Sequence, residues 1–118
     1  MPADRPTVLI VDDEPNFVDL LVAYLEDDYR IRTATGGTEA LDLINDSIDL
    51  LSLDRRMPDL SGDEVVKRVR SGGWSGKILM VSAVEPREPA LAGWDDYLEK
   101  PLLKAEYRSA IDRLLDSS

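Results

Sequence analysis

The sequence predicts an α/β fold in which a parallel β-sheet is covered by helices on both faces. Short apolar runs alternate with amphipathic, helix-like stretches five times along the chain. Parallel strands need helical crossovers, whereas antiparallel strands can be joined by tight turns. The length of 118 residues is close to the commonest size of one domain, and there is no internal repeat or low-complexity tract. We therefore expect a single domain over residues 1–118.

The five predicted strands are short and bounded by turn-forming or acidic residues. The first is a continuous apolar run, which is typical of a strand buried on both faces. In the second, more apolar and more polar side chains alternate along the chain, which suits a strand near a sheet edge. The last is brief and ends just before Lys100-Pro101. The strands are expected at residues 7–11, 29–34, 48–53, 77–81 and 96–98.

Four helices are predicted from apolar residues at helical spacing and from the residues that begin them. Pro15 suits the start of a helix, because an amide there would have no intrahelical partner. Ser61 and Glu64 have the spacing of a capping box, in which the serine hydroxyl accepts a hydrogen bond from the later amide. The helices are expected at residues 15–25, 38–45, 61–70 and 103–115.

The composition excludes several classes of function. The chain has no cysteine and no histidine, which excludes disulfides, thiolate nucleophiles, histidine triads and imidazole metal ligands. A net charge of −10 argues against binding of nucleic acid or an anionic membrane through this domain. No apolar stretch is long enough to span a membrane and no signal-peptide pattern is present, so we expect a cytoplasmic protein. The surplus of Asp and Arg is consistent with a halophilic archaeon as the source.

Chemically active residues follow the predicted strands at their carboxyl ends. Asp12 and Asp13 follow the first strand, Asp54 the third, Ser82 the fourth and Lys100 the fifth. The carboxyl ends of parallel strands meet at one edge of the sheet, where ligands bind in folds of this type. Clustered carboxylates repel one another and recruit a cation, and an all-oxygen site with room for water suits Mg²⁺. With a lysine and a hydroxyl nearby, this set predicts phosphoryl transfer onto an aspartate.

Several of these residues also have structural interpretations. Asp12 and Asp13 could cap the first helix, because carboxylates are favourable at its positive end. Tyr97 could be an ordinary aromatic at the core edge, and Lys100 a surface cation. Arg55 and Arg56 are interpreted as a solvated pair beside the site.

Four segments match a known family in order and spacing. They are residues 8–14, residues 49–54 with Met57-Pro58 and Gly62, residues 81–83, and residues 95–101. In these segments the sequence resembles the receiver domains of two-component response regulators, over essentially its whole length. The resemblance implies a flavodoxin-like, doubly wound sheet of five strands in the order 2-1-3-4-5.

The resemblance also implies a role for each site residue. Asp54 would accept a phosphoryl group from a histidine kinase or phosphotransfer protein, and Lys100 would pair with Asp54 at rest. Asp13, Asp54 and the backbone carbonyl of Arg56 would bind Mg²⁺, with Asp12 acting mainly through a bound water. Ser82 would bind a phosphoryl oxygen, and Tyr97 would be the rotameric switch. The Lys100-Pro101 peptide bond is expected to be cis. The domain would be a switch rather than a turnover enzyme, acting on a downstream protein or on an output domain carried beyond this sequence.

The chain departs from the family between Ser82 and Lys100, which are separated by only 17 residues. The fourth helix of the family falls in this stretch, where Pro86 and Pro89 disfavour a helix interior. We expect that helix to be short or irregular. Trp94 stands where the family commonly has a small residue, and it is interpreted as packing.

Three other functions are known alternatives for a chain with this fold class and an acidic site. An aspartate-based phosphatase would need a second acid two residues after the nucleophile, where this chain has Arg56. A flavin carrier would need a hydroxyl- and glycine-rich loop after the first strand, where this chain has acidic residues. A degenerate receiver that only docks a protein remains the alternative, although the complete acidic, hydroxyl and lysine set argues against it.

Overall fold

Five parallel strands form one sheet in the order β2-β1-β3-β4-β5, as predicted. The computed structural model describes residues 5–83 and 93–116. The short fourth helix expected after Ser82 falls on residues 84–92, outside the described residues. The strands are β1 (Thr7–Val11), β2 (Arg30–Ala34), β3 (Leu50–Asp54), β4 (Lys77–Ser82) and β5 (Asp96–Glu99), and the helices are α1 (Pro15–Leu25), α2 (Gly37–Leu43), α3 (Gly62–Ser71) and α4 (Lys104–Asp116).

The sheet buries apolar side chains on both of its faces, as a doubly wound fold requires. Along β1, Val8 and Ile10 pack on one face, whereas Leu9 and Val11 pack on the other. The first face is covered by α1 and α4, and the second by α2 and α3. Because successive side chains of a strand point to opposite faces, a continuous apolar run is what such a strand needs.

The strand boundaries differ from the prediction at two places that matter for the site, because β4 also runs one residue further than expected and ends at Ser82. The third strand was expected to end at residue 53, but Asp54 is its last residue and pairs with Val81 in the ladder. The backbone of Asp54 is therefore held by the sheet rather than by a loop. At one edge of the sheet, β2 pairs with β1 alone, which confirms the edge position predicted for the second strand.

Helix α3 begins as its sequence predicts, although only half of the capping box forms. The Ser61 hydroxyl accepts a hydrogen bond from the Glu64 amide at 3.1 Å. The Glu64 carboxylate pairs with Arg68 at 3.0 Å, one turn further along the helix. No helix within the described residues has the length and apolar character that crossing a bilayer requires.

Candidate functional site

Three carboxylates meet at the carboxyl edge of the sheet. Asp12 and Asp13 follow β1, and Asp54 ends β3. One oxygen from each lies within 4.8 Å of the other two. Asp12 and Asp54 are only 1% and 6% exposed, so two of the three charges are removed from water. The strand-end pattern in the sequence thus identified a cluster that the fold brings together.

Lys100 is the cation of this cluster. Its Nζ atom lies 3.0 Å from Asp12 Oδ2 and 3.4 Å from Asp54 Oδ1. The expectation that Lys100 pairs at rest with Asp54 was therefore incomplete, because the ammonium group is shared and lies closer to Asp12. Burial by itself lowers the pKa of Lys100, but hydrogen bonds and charge from Asp12 and Asp54 outweigh it and raise that pKa.

Asp12 uses both carboxylate oxygens, and neither caps α1. Oδ2 accepts from Lys100, and Oδ1 accepts from the Glu14 amide at 2.9 Å. Glu14 is the residue that precedes the helix, and its own side chain makes no capping hydrogen bond. The alternative that the acidic run serves only to cap the first helix is therefore not supported by the contacts.

The electrostatics of the cluster favour a bound cation. Burial raises the pKa of Asp54 to about 6, the charge of Asp12 adds to that shift, and Lys100 opposes it. Three carboxylates and one ammonium group leave an excess of two negative charges when all are ionised. Oxygen donors at this spacing, two of them buried, fit a small divalent ion such as Mg²⁺.

The backbone around Asp54 is closely fitted. The Arg55 amide donates to the Val81 carbonyl at 3.0 Å, and the Gly62 amide donates to the Arg55 carbonyl at 2.8 Å. A Cβ atom on Gly62 would lie 2.5 Å from the carbonyl oxygen of Asp54, so only glycine fits there. This contact explains why a glycine begins α3 immediately beside the site.

A backbone hydrogen bond joins Ser82, the last residue of β4, to Lys100, which follows β5. The Lys100 amide donates to the Ser82 carbonyl at 2.7 Å, and the Ser82 side chain is buried at the end of β4. The Lys100-Pro101 peptide bond is cis, as expected.

Tyr97 lies on β5 and is half-buried on the face covered by α2 and α3. Its ring centroid lies 5.5 Å from that of Trp94, with the two rings inclined at 53°. Trp94 packs against the same core cluster, which agrees with the packing role predicted for it.

Arg55 corrects one interpretation drawn from the sequence. Its side chain is only 20% exposed, and its Nε atom lies 3.1 Å from Asp63 on α3. Its guanidinium carbon lies 5.2 Å from the centre of the Trp94 ring. Arg55 is therefore held by other side chains rather than solvated, whereas Arg56 is exposed as expected.

Phe17 contacts the site in a way that its sequence pattern does not predict. The Lys100 ammonium group lies 4.5 Å from the centre of the Phe17 ring, at the distance of a cation–π interaction. In the sequence, Phe17 is one of the apolar residues at helical spacing that predict α1, and that pattern indicates only packing on the apolar face of the helix. Its position in the first turn after the acidic loop was the available signal, because that turn lies at the same edge of the sheet.

Comparison with known proteins agrees with this fold and site. The family model of the response regulator receiver domain matches residues 8–112. The chain therefore belongs to the receiver domain family of two-component signalling.

Two curated relatives show how much of a longer protein this chain represents. A candidate transcriptional regulator from Haloferax volcanii is 36% identical over 115 residues, which are 96% of this chain and 20% of that protein. The response regulator SaeR of Staphylococcus aureus is 33% identical over 113 residues, covering 92% of this chain and 50% of SaeR. The chain thus spans half or less of the length of these relatives.

Solved structures share the fold closely. A CheY-like receiver domain from Methanospirillum hungatei has a TM-score of 0.89 at 27% identity, covering 97% of this chain and 96% of that one. The response regulator TrrA from Thermotoga maritima, in complex with Mg²⁺–BeF, has a TM-score of 0.82 at 35% identity. The latter match covers 92% of this chain and 98% of TrrA.

Proposed function

We propose that this receiver domain is a cytoplasmic signalling switch that accepts a phosphoryl group on Asp54 from a histidine kinase or phosphotransfer protein. One observation carries the proposal. Asp54 is buried at the carboxyl edge of the sheet among Asp12, Asp13 and Lys100, with its carboxylate 3.4 Å from the lysine ammonium group. Such a carboxylate is a nucleophile already surrounded by groups that bind a phosphoryl dianion and its counter-ion.

The transfer converts the Asp54 carboxylate into an acyl phosphate. An oxygen of Asp54 forms a bond to phosphorus while the phosphorus–nitrogen bond of the donor histidine breaks. The departing imidazole nitrogen keeps the electron pair of that bond. Lys100 then moves its contact from the carboxylate to a phosphoryl oxygen, and the Ser82 hydroxyl donates to another.

Asp13, Asp54 and the backbone carbonyl of Arg56 would hold Mg²⁺, with Asp12 acting through a bound water. The ion supplies positive charge that offsets repulsion between the cluster and the incoming phosphoryl group. The structural neighbour TrrA in complex with Mg²⁺–BeF supports this part of the proposal, because BeF resembles a phosphoryl group.

Signalling then follows from a shift between two conformations. The phosphoryl group binds one of them more tightly and so raises its population. Ser82 would draw its loop inward, and Tyr97 would change rotamer as the switch residue. The receiver thereby reports to a downstream protein or to an output domain of a longer chain, and it does not turn over an external substrate.

The first test is the intact mass of the protein after incubation with acetyl phosphate and Mg²⁺. We expect one phosphoryl group on the wild type, none on Asp54→Asn, and none when EDTA removes the metal. Asp42→Asn, which changes an exposed aspartate on α2, is the matched control and should be phosphorylated like the wild type.

The docking-only alternative makes the opposite prediction. A folded wild type that gains no phosphoryl group, in high salt as well as in low salt, would contradict the switch. Phosphorylation that persists in Asp54→Asn would instead assign the acceptor to another residue.

A further inference from the structure

Arg55 directly follows the proposed phosphoacceptor, yet its guanidinium group contacts Trp94 on the sheet face covered by α2 and α3. Lys100 instead contacts Phe17, which packs on the other face. Within the described part of the chain, the ion pair of Arg55 is with Asp63 at 3.1 Å, whereas Asp54 pairs with Lys100. Its guanidinium group lies over the Trp94 ring, with 5.2 Å between its central carbon and the ring centre. Arg55 therefore contacts α3 and the chain leading into β5, and not the phosphoacceptor carboxylate.

Tyr97 is a second neighbour of the same guanidinium group. Burial lowers the pKa of Arg55, but the hydrogen bonds to Tyr97 and Asp63 outweigh that effect and raise it. Trp94 and Tyr97 also contact each other, with 5.5 Å between ring centroids. We term these four connected residues, Arg55, Asp63, Trp94 and Tyr97, the Arg55 clamp.

We propose that Arg55 is a positioning residue that holds Tyr97 in the arrangement of the unphosphorylated domain and so opposes activation. This inference rests on the proposed function and adds to it a named restraint on the switch residue. In this assignment, Asp63 fixes the guanidinium plane, Trp94 packs against that plane, and Tyr97 is retained through its contact with Trp94.

The clamp depends on the geometry of arginine. A guanidinium group is planar and carries several donors, so it can stack on one ring while it donates to two acceptors. Each contact is weak by itself, since partly exposed ion pairs and cation–π contacts each change an equilibrium by only a few fold. They reinforce one another because a single rigid group makes all of them. Movement of the Tyr97 ring would disturb its contact with Trp94 and, through Trp94, the contact of that ring with Arg55.

The Arg55 clamp changes ligand affinity if it is present in only one of the two conformations. If the clamp stabilises the unphosphorylated arrangement, its removal raises the population of the other conformation. Any ligand that selects that other conformation then binds more tightly by the same factor. We expect a three- to tenfold effect from the combined strength of the contacts.

A purely electrostatic role for Arg55 predicts the reverse sign. A cation one residue from the phosphoacceptor would attract the phosphoryl group, so its removal would weaken binding of a phosphoryl mimic. The direction of the change in affinity therefore separates the two interpretations.

The experiment uses beryllofluoride with Mg²⁺ as the phosphoryl mimic and fluorine NMR of 5-fluorotryptophan as the readout. A Trp74→Phe background leaves Trp94 as the only reporter. The variants are Arg55→Gln, Arg55→Lys and Asp63→Asn. Arg68→Gln is the control, because it removes one positive charge from an exposed ion pair on α3.

We expect the Trp94 resonance of Arg55→Gln to lie part of the way toward the beryllofluoride-bound position before any ligand is added. Its dissociation constant for beryllofluoride should fall three- to tenfold. The dissociation constant of Arg55→Lys for beryllofluoride should lie between those of the wild type and Arg55→Gln. Asp63→Asn should also bind beryllofluoride more tightly than the wild type, and this variant leaves the residue beside Asp54 unchanged. Arg68→Gln should behave like the wild type.

Two results would overturn the clamp while leaving the proposed function intact. One is an unchanged resonance and affinity in Arg55→Gln and Asp63→Asn when the wild type responds to beryllofluoride. The other is weaker binding in Arg55→Gln with normal binding in Arg55→Lys, which would indicate a charge effect. A wild type that neither binds beryllofluoride nor accepts a phosphoryl group would overturn the proposed function and the clamp together.

Discussion

The ammonium group of Lys100 donates to Asp12 across 3.0 Å, a shorter contact than its 3.4 Å approach to Asp54. The lysine therefore compensates the more deeply buried of the two carboxylates first. Asp54 receives only part of that compensation, which agrees with the rise of its pKa to about 6. The carboxylate proposed as nucleophile is thus the one left in need of a further positive charge.

Asp54→Asn should stabilise the metal-free protein at neutral and alkaline pH. The folded-state pKa of Asp54 is about 6, above its ordinary value of 3.8. Its contribution to the free energy of unfolding is therefore greatest below the ordinary value and is lost as the pH rises through 6. We expect a gain of about 1–2 kcal/mol at pH 8 that shrinks toward pH 4, measured by urea unfolding in EDTA. Asp42→Asn, which changes an exposed aspartate on α2, is the control variant, and a gain in Asp54→Asn that is independent of pH would contradict this account.

Lys100→Met should destabilise the metal-free domain, because it leaves the three carboxylates without their cation. We expect a loss of about 1–3 kcal/mol and a larger stabilisation by Mg²⁺ than in the wild type. Thermal unfolding with and without Mg²⁺ measures both quantities. Lys67→Met, at an exposed position on α3, is the control. Equal responses of the two variants to Mg²⁺ would show that Lys100 does not balance the cluster.

Gly62→Ala should disturb the site through the backbone. The added Cβ atom would lie 2.5 Å from the Asp54 carbonyl oxygen, so β3 and α3 must move apart. We expect a cost of about 1–3 kcal/mol and slower phosphorylation by acetyl phosphate. Gly72→Ala, whose Cβ would meet its nearest neighbour at 3.4 Å, should stay within about 0.5 kcal/mol of the wild type. Similar losses in both variants would contradict the close approach at Gly62.

Ser52 and Tyr107 should be energetically coupled. Their hydroxyl oxygens lie 2.6 Å apart in the core, between β3 and α4. Either single change, Ser52→Ala or Tyr107→Phe, leaves a buried hydroxyl without this partner and should cost about 1–3 kcal/mol. The double variant should lose less than the sum, with a coupling of about 1 kcal/mol in urea unfolding. Strict additivity would show that the pair contributes nothing specific.

Much of the fold could be predicted because it follows from local patterns. The continuous apolar run at residues 7–11 predicted a strand buried on both faces, and Ser61 predicted the start of α3. The error at the end of β3 arose because Asp54 is polar and so marked a loop by its chemistry. Its backbone nevertheless continues the ladder with β4, and hydropathy does not report that pairing.

The sequence by itself determined that Asp12, Asp13, Asp54 and Lys100 would share one edge of the sheet. Strand ends are visible in the chain, and parallel pairing brings their carboxyl ends together whatever the side chains do. Tertiary structure alone decided that Lys100 lies nearer Asp12, that Arg55 packs on Trp94, and that Ser52 meets Tyr107. These contacts join residues 39 to 88 positions apart and depend on rotamers and on the spacing between elements, which become defined only when the core is packed.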